Sequence, residues 1–279
     1  KFEDYKVTEE GELDPETGEP TEIEVNKPGA LSLLRKFAKD FPNSPLLPNI
    51  LYLLAEVEFE KAWKSPISRQ GGTPPYETAL TAYKHAMRKF PNSRFYEHAL
   101  YKIGLIYNDL GYILEARTVF EEGIKGNQKS LYNVARKTSL ANMLLDEKRY
   151  EDAYEAFQLI LKKSPKNTEG QLAIIKIANQ FFNQKDFNRA LRIYKEAQSR
   201  WPSLVNNIPI IFNNMAEIYF QQQNYPEAKK SYFQTINLDP DSEKAHSALN
   251  RIGDIYLLQG KDMNALAVYD QSAKLNPES

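Results

Sequence analysis

Apolar and polar positions along this chain follow a helical period, and the blocks they form recur about every 37 residues. In the last block Leu249, Ile252, Gly253 and Tyr256 stand three and four apart, so they share one face of an α-helix. After a short polar turn, Ala265 and Tyr269 make a second stripe, and Pro277 follows eight residues on. The same five positions read Ala216, Tyr219, Ala228, Tyr232 and Pro240, and before them Ala178, Phe181, Ala190, Tyr194 and Pro202. Further upstream stand Ala141, Leu144, Ala153, Phe157 and Pro165, then Gly104, Tyr107, Ala116 and Phe120, with Gln128 where the proline is due. An earlier copy keeps Ala55, Ala79, Tyr83 and Pro91 but carries twelve extra residues between its halves, and a half-copy with Ala30, Leu34 and Pro42 precedes it.

The spacing predicts antiparallel helix pairs. Small residues on both helices let the backbones approach, and the aromatics fill the space beside them. Proline then ends the second helix, because it has no N–H and restricts the residue before it. One pair cannot bury its apolar face alone, so neighbours stack into a solenoid. The expectation is an all-α chain of roughly thirteen helices.

These positions resemble the tetratricopeptide repeat family, over about 230 of the 279 residues. Departures are Lys137 at a bulky position, Glu58 at an aromatic one, and alanine in place of the first-helix glycine in several copies. The resemblance implies a right-handed superhelical solenoid of about six repeats after an N-terminal half-repeat at 29–45. The repeats fall near 46–93, 94–130, 131–167, 168–205, 206–242 and 243–279. It also implies a concave groove lined by the first helices. Carried over position by position, that groove takes His98, Tyr101, Lys102, Asn108 and Asp109, then Asn142 and Asp146, then Lys176, Asn179, Phe182 and Asn183. Asn213, Asn214, Glu217 and Phe220 follow, and then Asn250, Arg251 and Asp254. Asparagine is a poor helix former, and its amide both donates and accepts. A row of them suits the backbone of an extended peptide; ordinary polar surface is the competing reading. The family's carboxylate clamp needs paired cations, whereas Lys102, Lys176 and Arg251 stand in different repeats, so a chaperone-tail adaptor is not expected.

Composition narrows the rest. Apolar residues make up 42% of the chain, enough for a continuous core, yet no run approaches the ~18 needed to span a membrane. There is no cysteine, so disulfide and thiolate chemistry are excluded. The chain opens at Lys1 without a methionine or a signal peptide, which reads as a mature or trimmed fragment. Residues 1–29 hold ten acidic and three basic residues, and the remainder 27 acidic and 33 basic. Residues 1–28 thus have the composition of a flexible acidic leader. The β-formers Tyr5, Val7, Ile23 and Val25 offer a hairpin around Asp14–Glu19 as the alternative, and a calcium loop is disfavoured because Gly18 is fifth, not sixth, from Asp14. The insert Ser65–Pro75 is rich in glycine and proline, which argues against helix there.

No residue set points to catalysis. His85, His98 and His246 fall on different predicted helices, Gly71-Gly72 lacks the Lys-Ser/Thr of a phosphate loop, and no G-x-S-x-G elbow is present. The expectation is therefore no enzyme, cofactor or metal, and no nucleic-acid partner, since Lys162-Lys163 and Lys229-Lys230 are isolated pairs. The 37–38-residue period and the Phe-Pro-Asn-Ser turns at 41–44 and 90–93 resemble bacterial cell-envelope tetratricopeptide proteins. Within 65–95, Arg69, Thr73, Glu77-Thr78-Ala79-Leu80, Tyr83 and Arg88-Lys89-Phe90 are similar to the outer-membrane barrel-assembly lipoprotein family. The resemblance implies a periplasmic or outer-membrane-tethered scaffold for other proteins. A cytosolic adaptor, or the regulatory module of a larger enzyme, are the other readings.

Overall fold

A computed structural model describes residues 2–13 and 20–275. Thirteen long helices and two four-residue helices follow a two-stranded hairpin among these residues. The chain divides into two compact halves, 1–140 and 141–279, and the division falls inside one helix, α7 (Asn133–Asp146).

The N-terminal half begins with strands β1 (Tyr5–Leu13) and β2 (Pro20–Lys27), which pair antiparallel with Val7 opposite Val25. The segment with the composition of a leader thus contains the hairpin alternative, while its turn around Asp14–Glu19 lies outside the described residues. The base of the hairpin is fastened to the helices. Leu31 N–H donates to Phe2 O at 3.1 Å, Gly29 N–H to Asp4 Oδ1 at 2.9 Å, and Lys61 pairs with Glu3. Any side chain at position 29 would drive its Cβ to 2.3 Å from the Glu3 backbone, so glycine is required by close approach.

Helix α1 (Ala30–Asp40) packs on α2 (Leu47–Trp63), α2 on α4 (Glu77–Lys89), and α5 (Tyr96–Asp109) on α6 (Ile113–Gly126). The insert is not free of helix. Pro66–Arg69 form α3, started by the Ser65 side chain, which accepts from Ser68 N–H, with Pro66 at the first turn. Proline is favourable at that position because its missing donor is an orphan in any case. Gly71, at φ +79°, then ends the turn. The core of this half runs through Leu47, Leu51, Ala55, Ala79, Tyr83, Ala99 and Ile106.

The C-terminal half pairs α9 (Thr168–Asn183) with α10 (Phe187–Arg200), α12 (Pro209–Gln221) with α13 (Tyr225–Leu238), and α14 (Glu243–Leu258) with α15 (Asp262–Leu275). It begins with the rest of α7 and α8 (Tyr150–Lys163), and α11 (Pro202–Val205) fills the corner after α10. The repeat's alanines lie at zero exposure: Ala153, Ala178, Ala190, Ala216, Ala228 and Ala265. Where the small residue is glycine, the ring sits against the helix, so a Cβ on Gly253 would meet Tyr269 at 2.4 Å.

Five of the turns between paired helices are built alike. Gly111, Lys148, Lys185, Gln223 and Gly260 all take positive φ, between 58° and 80°. In each, the residue after it donates its N–H five residues back, as Asp186 does to Phe181 O at 2.9 Å and Asn224 to Tyr219 O at 2.9 Å. This is a left-handed helix stop that satisfies the last carbonyls. The Phe-Pro-Asn-Ser turns have a local reason too. Ser44 and Ser93 accept the N–H two residues on, at 3.1 and 3.3 Å, and their own N–H groups reach Phe41 and Phe90.

Candidate functional site

The residue after each first-helix small residue is placed by the helix to point toward the partner helix, where a tyrosine fifteen positions later meets it. Tyr194 Oη donates to Asn179 Oδ1 at 2.6 Å, Tyr232 Oη to Glu217 Oε1 at 2.6 Å, and Tyr269 Oη to Asp254 Oδ1 at 2.7 Å. Tyr83 donates to Glu56 in the same way, 27 residues apart because the insert lengthens that repeat. In the two repeats with phenylalanine, Phe120 and Phe157, the acceptor position holds Leu105 and Asn142.

These bonds decide which asparagines are available. Asn214 is buried, donating to Tyr194 Oη at 2.9 Å and lying 3.4 Å from Asn179 Oδ1. Asn179 and Asn214 therefore form an internal network with Tyr194 and do not offer a peptide their full capacity. Asn142, which faces no tyrosine hydroxyl, donates to Glu169 at 2.8 Å. Asn213 and Asn108 are half-buried, and Asn250 is exposed. Burial pushes the Tyr194 hydroxyl up to about 12. The bond to Asp254, with some burial, raises that of Tyr269 likewise to about 12, so both remain donors across the physiological range.

The cations are divided. Lys102 lies 3.0 Å from Glu56 and 3.9 Å from the centre of the Phe59 ring, and His98 lies 3.7 Å from the same carboxylate. Burial and the neighbouring Lys102 hold His98 below its usual value, against the pull of Glu56. Burial would raise Glu56, but the bonds from Tyr83 and Lys102 outweigh it and hold it low. Arg251 reaches Glu217 at 3.3 Å and Asp254 at 3.4 Å, over the Phe220 ring at 5.0 Å. Lys176 is exposed. The aromatics are half-covered: Phe182 against Phe187 at 5.8 Å, Phe220 against Tyr225 at 6.1 Å, and Tyr101 between Phe120 and Tyr132 at 6.0 and 5.9 Å.

The N-terminal half also holds a charge that periodicity did not single out. Arg136 is wholly buried, donating to Glu97 Oε2 at 2.8 Å, Glu97 O at 3.0 Å and Asn133 Oδ1 at 3.2 Å. Gly123 leaves room for it, since a Cβ there would stand 2.6 Å from Arg136 Nε. A glycine in the last turn of α6, thirteen residues before an arginine on a core face, is the signal that marks the pair. Among the described residues no group of acidic or histidine side chains is arranged to hold a metal ion, and no helix is long and apolar enough to cross a membrane.

Two tetratricopeptide repeat models match the chain, one over residues 181–252 and the other over 97–129 and 246–279. Among solved structures, the C-terminal part of a repeat-containing protein from Cytophaga hutchinsonii is similar with a TM-score of 0.60 at 15% identity, covering 89% of this chain and 90% of that one. A tetratricopeptide repeat protein from Parabacteroides merdae gives 0.46 at 17% identity, covering 88% and 85%. The MamA protein gives 0.47 at 16%, covering 67% and 94%. The first of these shows a shared fold. No curated protein matches the chain.

Proposed function

The chain carries tetratricopeptide repeats, which mark a protein-interaction scaffold, and we propose from that premise that it binds an extended segment of a partner along the first-helix face of its C-terminal half. One observation supports this most. The exposed Lys176 and Asn250 and the half-covered Phe182, Asn213 and Phe220 stand on the same first helices, α9, α12 and α14, as Asn179, Asn214 and Glu217, a floor of side chains that is already hydrogen-bonded. Such a floor keeps its shape when the surface above it is occupied, which limits the ordering cost of binding. The role is non-enzymatic.

The setting we propose is the bacterial cell envelope, with the chain as a periplasmic or outer-membrane-associated part of an assembly machine. The 37–38-residue period and the similarity of 65–95 to the barrel-assembly lipoproteins support it. The Phe-Pro-Asn-Ser turns lend it less weight, because helix-joint geometry already accounts for them. A lipobox cysteine encoded upstream, with outer-membrane fractionation, would support this setting. Recovery in the cytosol would favour an adaptor, and an encoded catalytic domain a regulatory module.

The groove is tested by placing a photo-crosslinking residue at Lys176 or Asn250, and at the exposed Glu155 on α8 as a control. Crosslinks to a partner from the first two positions and not the third are expected. Crosslinks from Glu155 alone would move the binding surface to the second helices.

A further inference from the structure

Helices α8 and α10 are second helices of successive repeats, and a row of directional bonds ties them side by side. Arg189 Nη1 donates to Glu151 Oε2 at 3.1 Å near one end. Tyr154 Oη and Gln158 Nε2 both donate to Glu196, at 2.7 and 2.9 Å, and Arg200 donates to Gln158 Oε1 at 2.8 Å near the other. Glu196 is the hub, because Arg200 also donates to it, at 2.5 Å. The row spans two turns of α8 and three of α10.

Nothing comparable links the next pair. Among the described residues, no side-chain hydrogen bond or ion pair joins α10 to α13, or α13 to α15. The repeats of α10 and α13 meet instead through α12, where Ile193, Ala197 and Tyr219 belong to one apolar core, Lys195 lies over the Tyr219 ring at 5.3 Å and the buried Asn214 donates to Tyr194 Oη at 2.9 Å. Apolar burial has no preferred direction, whereas hydrogen bonds weaken steeply when bent or stretched. A pair of second helices without such bonds between them yields to small sliding movements more readily than a pair joined by a row of them.

We propose that this row of bonds makes α8–α10 the stiffer of the two second-helix pairs, and that α10 and α13 slide against each other more freely. Salt loosens the stiffer pair selectively, because its charged members are partly exposed and screened. The inference concerns the unliganded protein, so it stands or falls apart from the peptide reading above.

The chain has no cysteine, so spin labels can be placed without background. One pair, Leu159→Cys with Ser199→Cys, reports on α8–α10. A second, Ser199→Cys with Asn237→Cys, reports on α10–α13. Electron-spin distance measurements should give a narrower distribution for the first pair at low salt. The difference should vanish in high salt and in Glu196→Ala, with the α10–α13 width unchanged. Arg189→Ala serves as a second variant, and unchanged helical circular dichroism shows that each remains folded. Equal widths in the unsubstituted background, or a first-pair width indifferent to both variants, would overturn the proposal.

Discussion

Asn214 is an asparagine in the core of a helix joint, tolerated because Tyr194 and Asn179 take up its polarity. Tyr194→Phe removes the closer partner and leaves a buried amide underbonded, so urea unfolding should show a loss of about 1–2 kcal/mol. The crossing alanines test packing without polarity. Ala190→Leu or Ala228→Leu forces a larger side chain into a site of zero exposure, and each should lower stability by roughly 1–3 kcal/mol; unchanged thermal unfolding in both would contradict the register. At this scale the sequence was only partly legible. The small residues and rings announce themselves by spacing, because sterics act on one residue at a time. Which asparagine is free does not, since it depends on a hydroxyl fifteen or twenty residues away; Asn179 and Asn214 look alike as a ladder until Tyr194 is read with them.

The turns carry strain that one substitution can relieve. Lys148, Lys185 and Gln223 occupy a left-handed conformation that glycine holds at Gly111 and Gly260. Lys185→Gly should therefore raise stability by about 0.5–1 kcal/mol, measured by the same urea titration, whereas Gly260→Lys should lower it. The pairing of α8 with α10 gives a pH dependence. Burial would raise Glu196, but the bonds from Tyr154, Gln158 and Arg200 outweigh it and hold the carboxyl below its usual range. A depressed carboxylate contributes stability above its unfolded value and loses it as pH falls through the folded one. Protection of α8 and α10 in hydrogen exchange should thus drop below about pH 4, and Glu196→Gln should flatten that drop. The long helices were legible because a 3.6-residue period survives any solenoid context. Helices α3 and α11 were not: Ser65 and Pro66 set up one turn that the glycines after them obscure, and Pro202, expected only to end a helix, also opens α11.

At the scale of the whole molecule, the last repeat differs from the one before it in its exposed apolar side chains. Leu258, Met263 and Leu266 are 61, 78 and 63% exposed, where the preceding repeat places Gln221, Pro226 and Lys229. Replacing the three with Gln, Asn and Lys should reduce self-association in light scattering without altering helicity. In the N-terminal half, Arg136→Ala opens a cavity and strips Glu97 of its partner. It should cost about 3 kcal/mol or more in denaturant unfolding. The tyrosine tethers also govern how such a chain can lengthen. The hydroxyl and acceptor of Tyr194–Asn179, Tyr232–Glu217 and Tyr269–Asp254 lie within a single repeat, as do both ends of each left-handed turn. A tandem duplication of one repeat's coding segment therefore copies donor together with acceptor. The daughter module arrives with its own tether intact, and the array can grow or shrink by whole modules without stranding either half of the bond.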